Sequence, residues 1–188
     1  GTGWLMCTYN MPSGTAYKLG DVLTARDGTT VEVKNTDAEG RIVMMDAIAL
    51  AVEEGVDAII DIATLTGAAL MALGQLTAPV LGNDQRVVDL TLAASAVTGE
   101  PLWQLPLERK YRPQLDSDVA DLANIGGRYA GATTAALFLD HFTRKTPWAH
   151  LDIAGTMAVD ADESWRSKGA TGFGARLLLE TALTFTKA

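Results

Sequence analysis

The sequence holds a single cysteine, Cys7, which excludes an internal disulfide framework and any cysteine-rich zinc site. A lone thiol fits a reducing compartment, and Cys7 is expected to pack as a small buried apolar side chain. Histidine is nearly as scarce, with only His141 and His150. No histidine-based zinc pattern can be built at that spacing, so both are expected to be structural. No serine lies in a Gly-x-Ser-x-Gly elbow, which argues against a serine hydrolase. Apolar runs are short. None approaches the roughly 20 residues a membrane helix needs, so no membrane partner is expected. Basic residues are outnumbered, 15 against 23 acidic ones, for a net charge of -8. A phosphate backbone would be repelled on average, and no Lys/Arg run forms a basic stripe, so nucleic-acid binding is disfavoured. Residues 1–7 lack the basic region of a signal peptide and an initiator methionine. Their apolar run reads as the middle of a strand, and the chain is expected to be a fragment or a processed product.

What is present is enough for a core. The 188 residues are 48% hydrophobic and 20% charged, which suits one globular domain, or one piece of one, without disulfides or structural metals. Two short β-prone runs, 20–24 and 30–33, are expected to form a hairpin around Asp27-Gly28. Upstream, Asn10-Met11-Pro12-Ser13-Gly14 is turn chemistry. A helix is expected over 41–54, where Ile42, Met45, Ile48 and Ala49 recur at helical spacing, with Gly55 as a left-handed cap. Residues 58–63 read as a strand with both faces covered. Further helices are expected at 67–73, 85–98, 133–142 and 175–185, with strands at 77–81 and 149–153. The segment 101–131, rich in Pro, Asp and Gly, is expected to run as surface loops. Strands alternating with helices indicate an α/β fold, a mixed sheet sandwiched between helical layers.

The densest polar constellation is Asn35-Thr36-Asp37-Ala38-Glu39-Gly40-Arg41. In an extended segment, side chains two apart point to one side, so Asp37 and Glu39 would converge. Carboxylates held that close repel unless a cation, a divalent metal or Arg41, sits between them. The alternative is structural: Asp37 caps the following helix, Glu39 sits in its first turn, and Arg41 is an ordinary ion-pair partner. Elsewhere, Ile125-Gly126-Gly127-Arg128-Tyr129-Ala130-Gly131 lacks the Lys-Ser/Thr pair of a phosphate loop and reads instead as a glycine-rich loop approaching an active site. Asp116, Asp118 and Asp121 read as a solvated acidic face.

The unbroken run from Asn35 to Arg41 resembles the signature of the leucyl aminopeptidase family of metallopeptidases. Asn10-Met11-Pro12-Ser13-Gly14, Gly20-Asp21-Val22, Asp61-Ile62-Ala63-Thr64-Leu65-Thr66-Gly67 and His150-Leu151-Asp152-Ile153-Ala154-Gly155 resemble family segments in family order. The resemblance covers essentially the whole chain, as the later part of the catalytic domain. It implies an exopeptidase that removes N-terminal residues, leucine-like by preference, from peptides. It also implies two divalent ions (Mn²⁺ or Zn²⁺, or else Mg²⁺), a cytoplasmic location and a homohexamer. Residue by residue, the resemblance makes Asp37 and Glu39 metal ligands and Arg41 the holder of a bicarbonate that serves as general base. Asn35 would line the site, Thr64, Leu65 and Gly67 would contact substrate through backbone, and Ala154 and Met157 would lie near the pocket for the first side chain.

Carboxylate ligation suits hard or borderline ions, and a planar, permanently charged guanidinium suits a carbonate-shaped anion. There are departures. The family's first metal-binding segment, with its lysines and aspartates, belongs upstream of Asn10, and residues 1–9 contain no Lys, Asp or Glu. Tyr9 stands where relatives commonly carry glutamate. The two rival expectations are therefore a catalytically incomplete subunit or fragment that only assembles with the family oligomer, and a nucleic-acid-binding relative.

Overall fold

A computed structural model describes residues 1–8 and 11–187; Tyr9 and Asn10, both singled out above, lie outside the described residues. The hairpin forms as expected. Strand β1 (Val22–Thr24) pairs antiparallel with β2 (Thr30–Glu32), Leu23 opposite Val31. Gly28 takes φ +88°, and its N–H donates to Ala25 O at 2.9 Å to close the turn.

The main sheet contains β3 (Ile59–Ala63), β4 (Ala78–Gly82), β5 (Leu102–Gln104) and, from much later in the chain, the strand Trp148–Asp152. That last strand is fully buried, runs parallel to β3 and antiparallel to β4, and makes the sheet mixed. Alternation along it decides the layers. Trp148 packs with Ile59 and Leu81 against Met45 and Ile48 of helix α1 (Glu39–Glu53) and against Leu137, Phe138 and Phe142 of the helix Gly131–Phe142. Ala149 and Leu151 pack with Ala78 and Val80 on the opposite face. There Val87, Val88 and Ala94 of a second pair of helices (Gln85–Thr98 and Ala175–Thr184) cover them with Leu177. The result is helix, mixed sheet, helix. Each large apolar side chain fully buried here contributes about 2 kcal/mol. In chain order the helices are α1, α2 (Gly67–Leu73), α3 (Gln85–Thr98), α4 (Gly131–Phe142) and α5 (Ala175–Thr184). The strands after β5 are β6 (Leu122–Ala123), β7 (Trp148–Asp152), and the hairpin β8 (Ala158–Val159) with β9 (Gly169–Ala170).

The starts of α2 and α3 follow local chemistry. Thr66 caps α2 by accepting from Ala69 N at 3.0 Å, and Asp84 caps α3 by accepting from Arg86 N at 2.9 Å. Gly55 and Gly99 stop α1 and α3 in the left-handed conformation. No described helix is long and apolar enough to cross a membrane.

Four expectations are corrected. Residues 101–131 are not simply surface loops: they hold β5, a 3-10 helix (Arg109–Leu115) and β6, and Leu115, Leu122, Ala123 and Asn124 are fully buried. The cause is non-local, because β6 extends the hairpin by pairing parallel with β2. Asp121 is part of that junction rather than of a free acidic face, accepting from Thr30 N and Oγ1 at 2.8 and 2.7 Å. Residues 1–7 are not in a strand, since no partner strand lies beside them among the described residues, and Cys7 is consequently exposed. β3 has apolar contacts on both faces, yet it stands at the end of the strand order β3-β7-β4-β5 and stays half-buried; an apolar run does not specify its place in the sheet.

Candidate active site

The Asn35–Arg41 segment is a turn followed by a helix start, not an extended strand. Asn35 Oδ1 accepts from Asp37 N at 2.8 Å, an Asx turn that bends the chain, and α1 begins at Glu39, two residues before the expected start. Convergence of Asp37 and Glu39 by strand alternation is therefore overturned. Capping by Asp37 fails as well: Ala38 occupies the cap and makes no side-chain bond. Glu39 does lie in the first helical turn, where the backbone dipole favours a carboxylate. Both carboxylates are exposed and lack a hydrogen-bond or ion-pair partner among the described residues.

Arg41 is the opposite case. Its guanidinium is buried, Nη1 donates to Asn124 O at 2.9 Å, and Nε has no partner. Burial pushes its pKa down to about 10, against the pull of Asp152 and Glu39. The group is still a cation at neutral pH.

Three loops meet at this point. Asn35, Asp37, Ala38 and Arg41 share a cavity of about 330 Å³ with Leu65, Thr66 and Gly67, which follow β3. The third wall is the glycine-rich loop with the first turn of α4, through Ile125, Gly127, Arg128, Gly131 and Thr134. The loop approaches the site as its sequence suggested. Close packing draws the walls together, since a Cβ on Gly131 would come within 2.9 Å of Ala68 Cβ. Of the other residues singled out from sequence, exposed Thr64 and Glu39 stand outside the cavity lining, as do Ala154 and Met157. Ala154 is nevertheless tied to the site, donating its N–H to Asp152 Oδ1 at 3.3 Å. The adjacent Gly155 is pressed against the end of α2, where a Cβ would fall 2.1 Å from Gly74 O. Lys34 pairs with Glu32 at 3.3 Å beside the site.

Two residues that sequence reasoning passed over hold the arrangement. Asn124, fully buried, accepts from Lys34 N and Asn35 N at 2.8 and 3.2 Å, donates to Asn35 O at 2.6 Å, and receives Arg41 on its own carbonyl. Nothing in its local sequence marks it. Asp152, also buried, accepts from the loop after β3. A carboxylate inside an otherwise apolar strand was a usable signal, because a buried charge requires partners. Of the two histidines, the one in β7 has the structural setting expected of it. His150, buried in β7, donates from Nδ1 to Asp61, which also receives Trp148 Nε1. Burial pushes the His150 pKa down and the Asp61 carboxylate more than offsets it, leaving it above the ordinary value. Asn124→Ala is expected to strand two backbone donors and an acceptor and to cost about 3 kcal/mol in denaturant unfolding; an unchanged midpoint would count against this role.

Carboxylates are the donors hard divalent cations take, and Asp37 and Glu39 are unengaged. Among the described residues, however, no group of three or more His, Cys, Asp or Glu side chains could hold a metal ion. The donors fit such an ion in kind and supply part of a set.

The catalytic-domain profile of the cytosol aminopeptidase family matches residues 2–179. The chain belongs to that family. It is 48% identical over 178 residues to a probable cytosol aminopeptidase of Alkaliphilus metalliredigens (strain QYMF), covering 95% of this chain and 36% of the relative. It is 51% identical over 176 residues to one of Synechococcus sp. (strain JA-3-3Ab), covering 94% and 34%. With one of Geobacter sp. (strain M21) it shares 51% over 178 residues, covering 95% and 36%. The chain thus spans about a third of the length of these curated relatives.

Proposed function

We propose that this chain works in a metal-dependent aminopeptidase that releases N-terminal amino acids, preferably leucine-like, from peptides. The observation that carries the reading is the meeting of Asn35, Asp37 and Arg41 with Leu65 and Gly67 around one cavity. Asp37 and Glu39 would hold divalent ions, Mn²⁺ or Zn²⁺ with Mg²⁺ as a third candidate. When bound, such ions supply an acidified water and Lewis-acid polarisation of a carbonyl. Everything else falls to the chain itself. Arg41, charged and with Nε unengaged, is suited to bicarbonate or to a developing oxyanion. Asn124 holds that guanidinium and the Asn35 backbone in one frame. Leu65 and Ile125 add apolar surface to the cavity wall. The same reading takes peptides as substrates, in the cytoplasm, with the protein acting as a homohexamer.

A second reading is favoured by the incomplete donor set among the described residues: a subunit that assembles but does not turn over. One assay separates the two. The intact protein, incubated with leucine p-nitroanilide and Mn²⁺, is expected to release p-nitroaniline, to stop on chelation and to recover when Mn²⁺ or Zn²⁺ is restored. Turnover indifferent to the chelator would refute the metallopeptidase reading, and no turnover with any of the three ions would favour the silent subunit.

A further inference from the structure

Asp152 lies at the end of β7, opposite Ala63 of β3, and is 1% exposed. Buried carboxylates are costly unless their lone pairs are filled, and four donors fill these. Oδ1 accepts from Leu65 N at 3.0 Å, Thr66 N at 3.2 Å and Ala154 N at 3.3 Å, and Oδ2 accepts from Thr66 Oγ1 at 2.7 Å. One side chain therefore ties the loop after β3 to the turn after β7, beside the cavity that Leu65 and Thr66 line.

The consequence lies in the peptide planes. No peptide bond among the described residues is cis, and in a trans peptide the N–H and C=O point in opposite directions. The Leu65 N–H shares its plane with Thr64 C=O, and the Thr66 N–H shares its plane with Leu65 C=O. Turning both N–H groups onto Asp152 turns both carbonyls away from it. Neither carbonyl accepts a hydrogen bond from any donor among the described residues. The Leu65 carbonyl, on a residue that lines the cavity, is thereby left as an acceptor beside the site, suited to an N–H group of an extended peptide.

We propose that Asp152 is a positioning residue: by capturing the Leu65 and Thr66 amides it fixes the loop so that the Leu65 carbonyl faces substrate, and so sets the affinity for peptides. This rests on the peptidase reading above. The mechanism is acceptance of N–H groups and not charge, so an asparagine that keeps one oxygen toward the three amides retains it, its amide donating to Thr66 Oγ1.

The test uses the intact protein with Leu-Gly as substrate. Asp152→Ala is expected to raise KM about tenfold or more with kcat within about threefold, the pattern of lost ground-state binding. Asp152→Asn is expected to keep KM within about threefold of the unaltered protein. An unchanged KM in Asp152→Ala overturns the proposal. So does a fall in kcat alone, which reports only lost folded protein, and so does equal damage in both variants, which would assign the role to charge. Should Asp152→Ala not fold, amide hydrogen exchange in the unaltered protein decides. Leu65 and Thr66, outside any helix or strand, are expected to exchange slowly, and exchange at open-loop rates overturns the proposal. Absence of turnover by the unaltered protein would refute the peptidase reading instead, with the exchange measurement still judging Asp152.

Discussion

The Asp37→Ala, Glu39→Ala double variant is expected to lose aminopeptidase activity by about 10³-fold or more without losing its fold. Metal ions are worth several kcal/mol of transition-state charge stabilisation, and each 1.36 kcal/mol is a factor of ten in rate. Stability should change little because both carboxylates are exposed and neither makes a side-chain hydrogen bond or ion pair among the described residues. Removing two adjacent like charges would, if anything, relieve repulsion in metal-free protein. The measurements are kcat/KM on leucine p-nitroanilide with Mn²⁺ and the thermal midpoint without metal. Full activity in the double variant would sink the assignment, and a collapse of the midpoint would return both residues to a structural role.

Arg41→Met should have an equally lopsided effect. Activity is expected to fall about 10²- to 10³-fold, the scale for losing one preorganised charge-stabilising donor, while stability at pH 7 stays within about 1 kcal/mol. The reason is the cost of burying the guanidinium. Burial lowers its pKa from the ordinary arginine range to about 10 in the fold, a penalty of about 3 kcal/mol. Between these values the unfolded chain binds more protons, so the Arg41 contribution to stability improves as pH rises through that window. Below about 10 the penalty is present in full. Methionine removes it but leaves the Asn124 carbonyl without its donor and takes away a charge that attracts Asp152 and Glu39, which offsets the gain. Denaturant unfolding of both proteins at pH 7 and pH 10.5 checks this: the variant should lose ground relative to the unaltered protein at the higher pH. A variant destabilised by 3 kcal/mol or more at pH 7 would make Arg41 a structural residue, and retained activity would remove it from the mechanism.

These two expectations draw on different kinds of legibility. The signature Asn35–Arg41 is contiguous, so its residues could be named before any fold was known. Its conformation could not. Alternation pointed to an extended pair of carboxylates, whereas an Asx turn from Asn35 and a helix beginning at Glu39 place Asp37 on the cavity wall and Glu39 outside its lining. Helices α2 and α3 were readable to the residue because Thr66 and Asp84 open them and Gly74 and Gly99 close them. Residues 101–131 were not, since strands as short as Leu122–Ala123 carry no periodicity and exist only through a partner far away in sequence.

The sequence alone determined what acts locally: the ends of α2 and α3, the Asp27-Gly28 turn, the apolar alternation that builds a layered α/β fold, and the chemical types at the site. Tertiary structure decided which distant groups hold those types in place. Asn124 reaches Asn35 across 89 residues and Asp152 reaches Leu65 across 87, bonds that leave no local trace. The physical reason is that a buried amide or carboxylate satisfies its hydrogen bonds with whatever backbone the fold brings beside it.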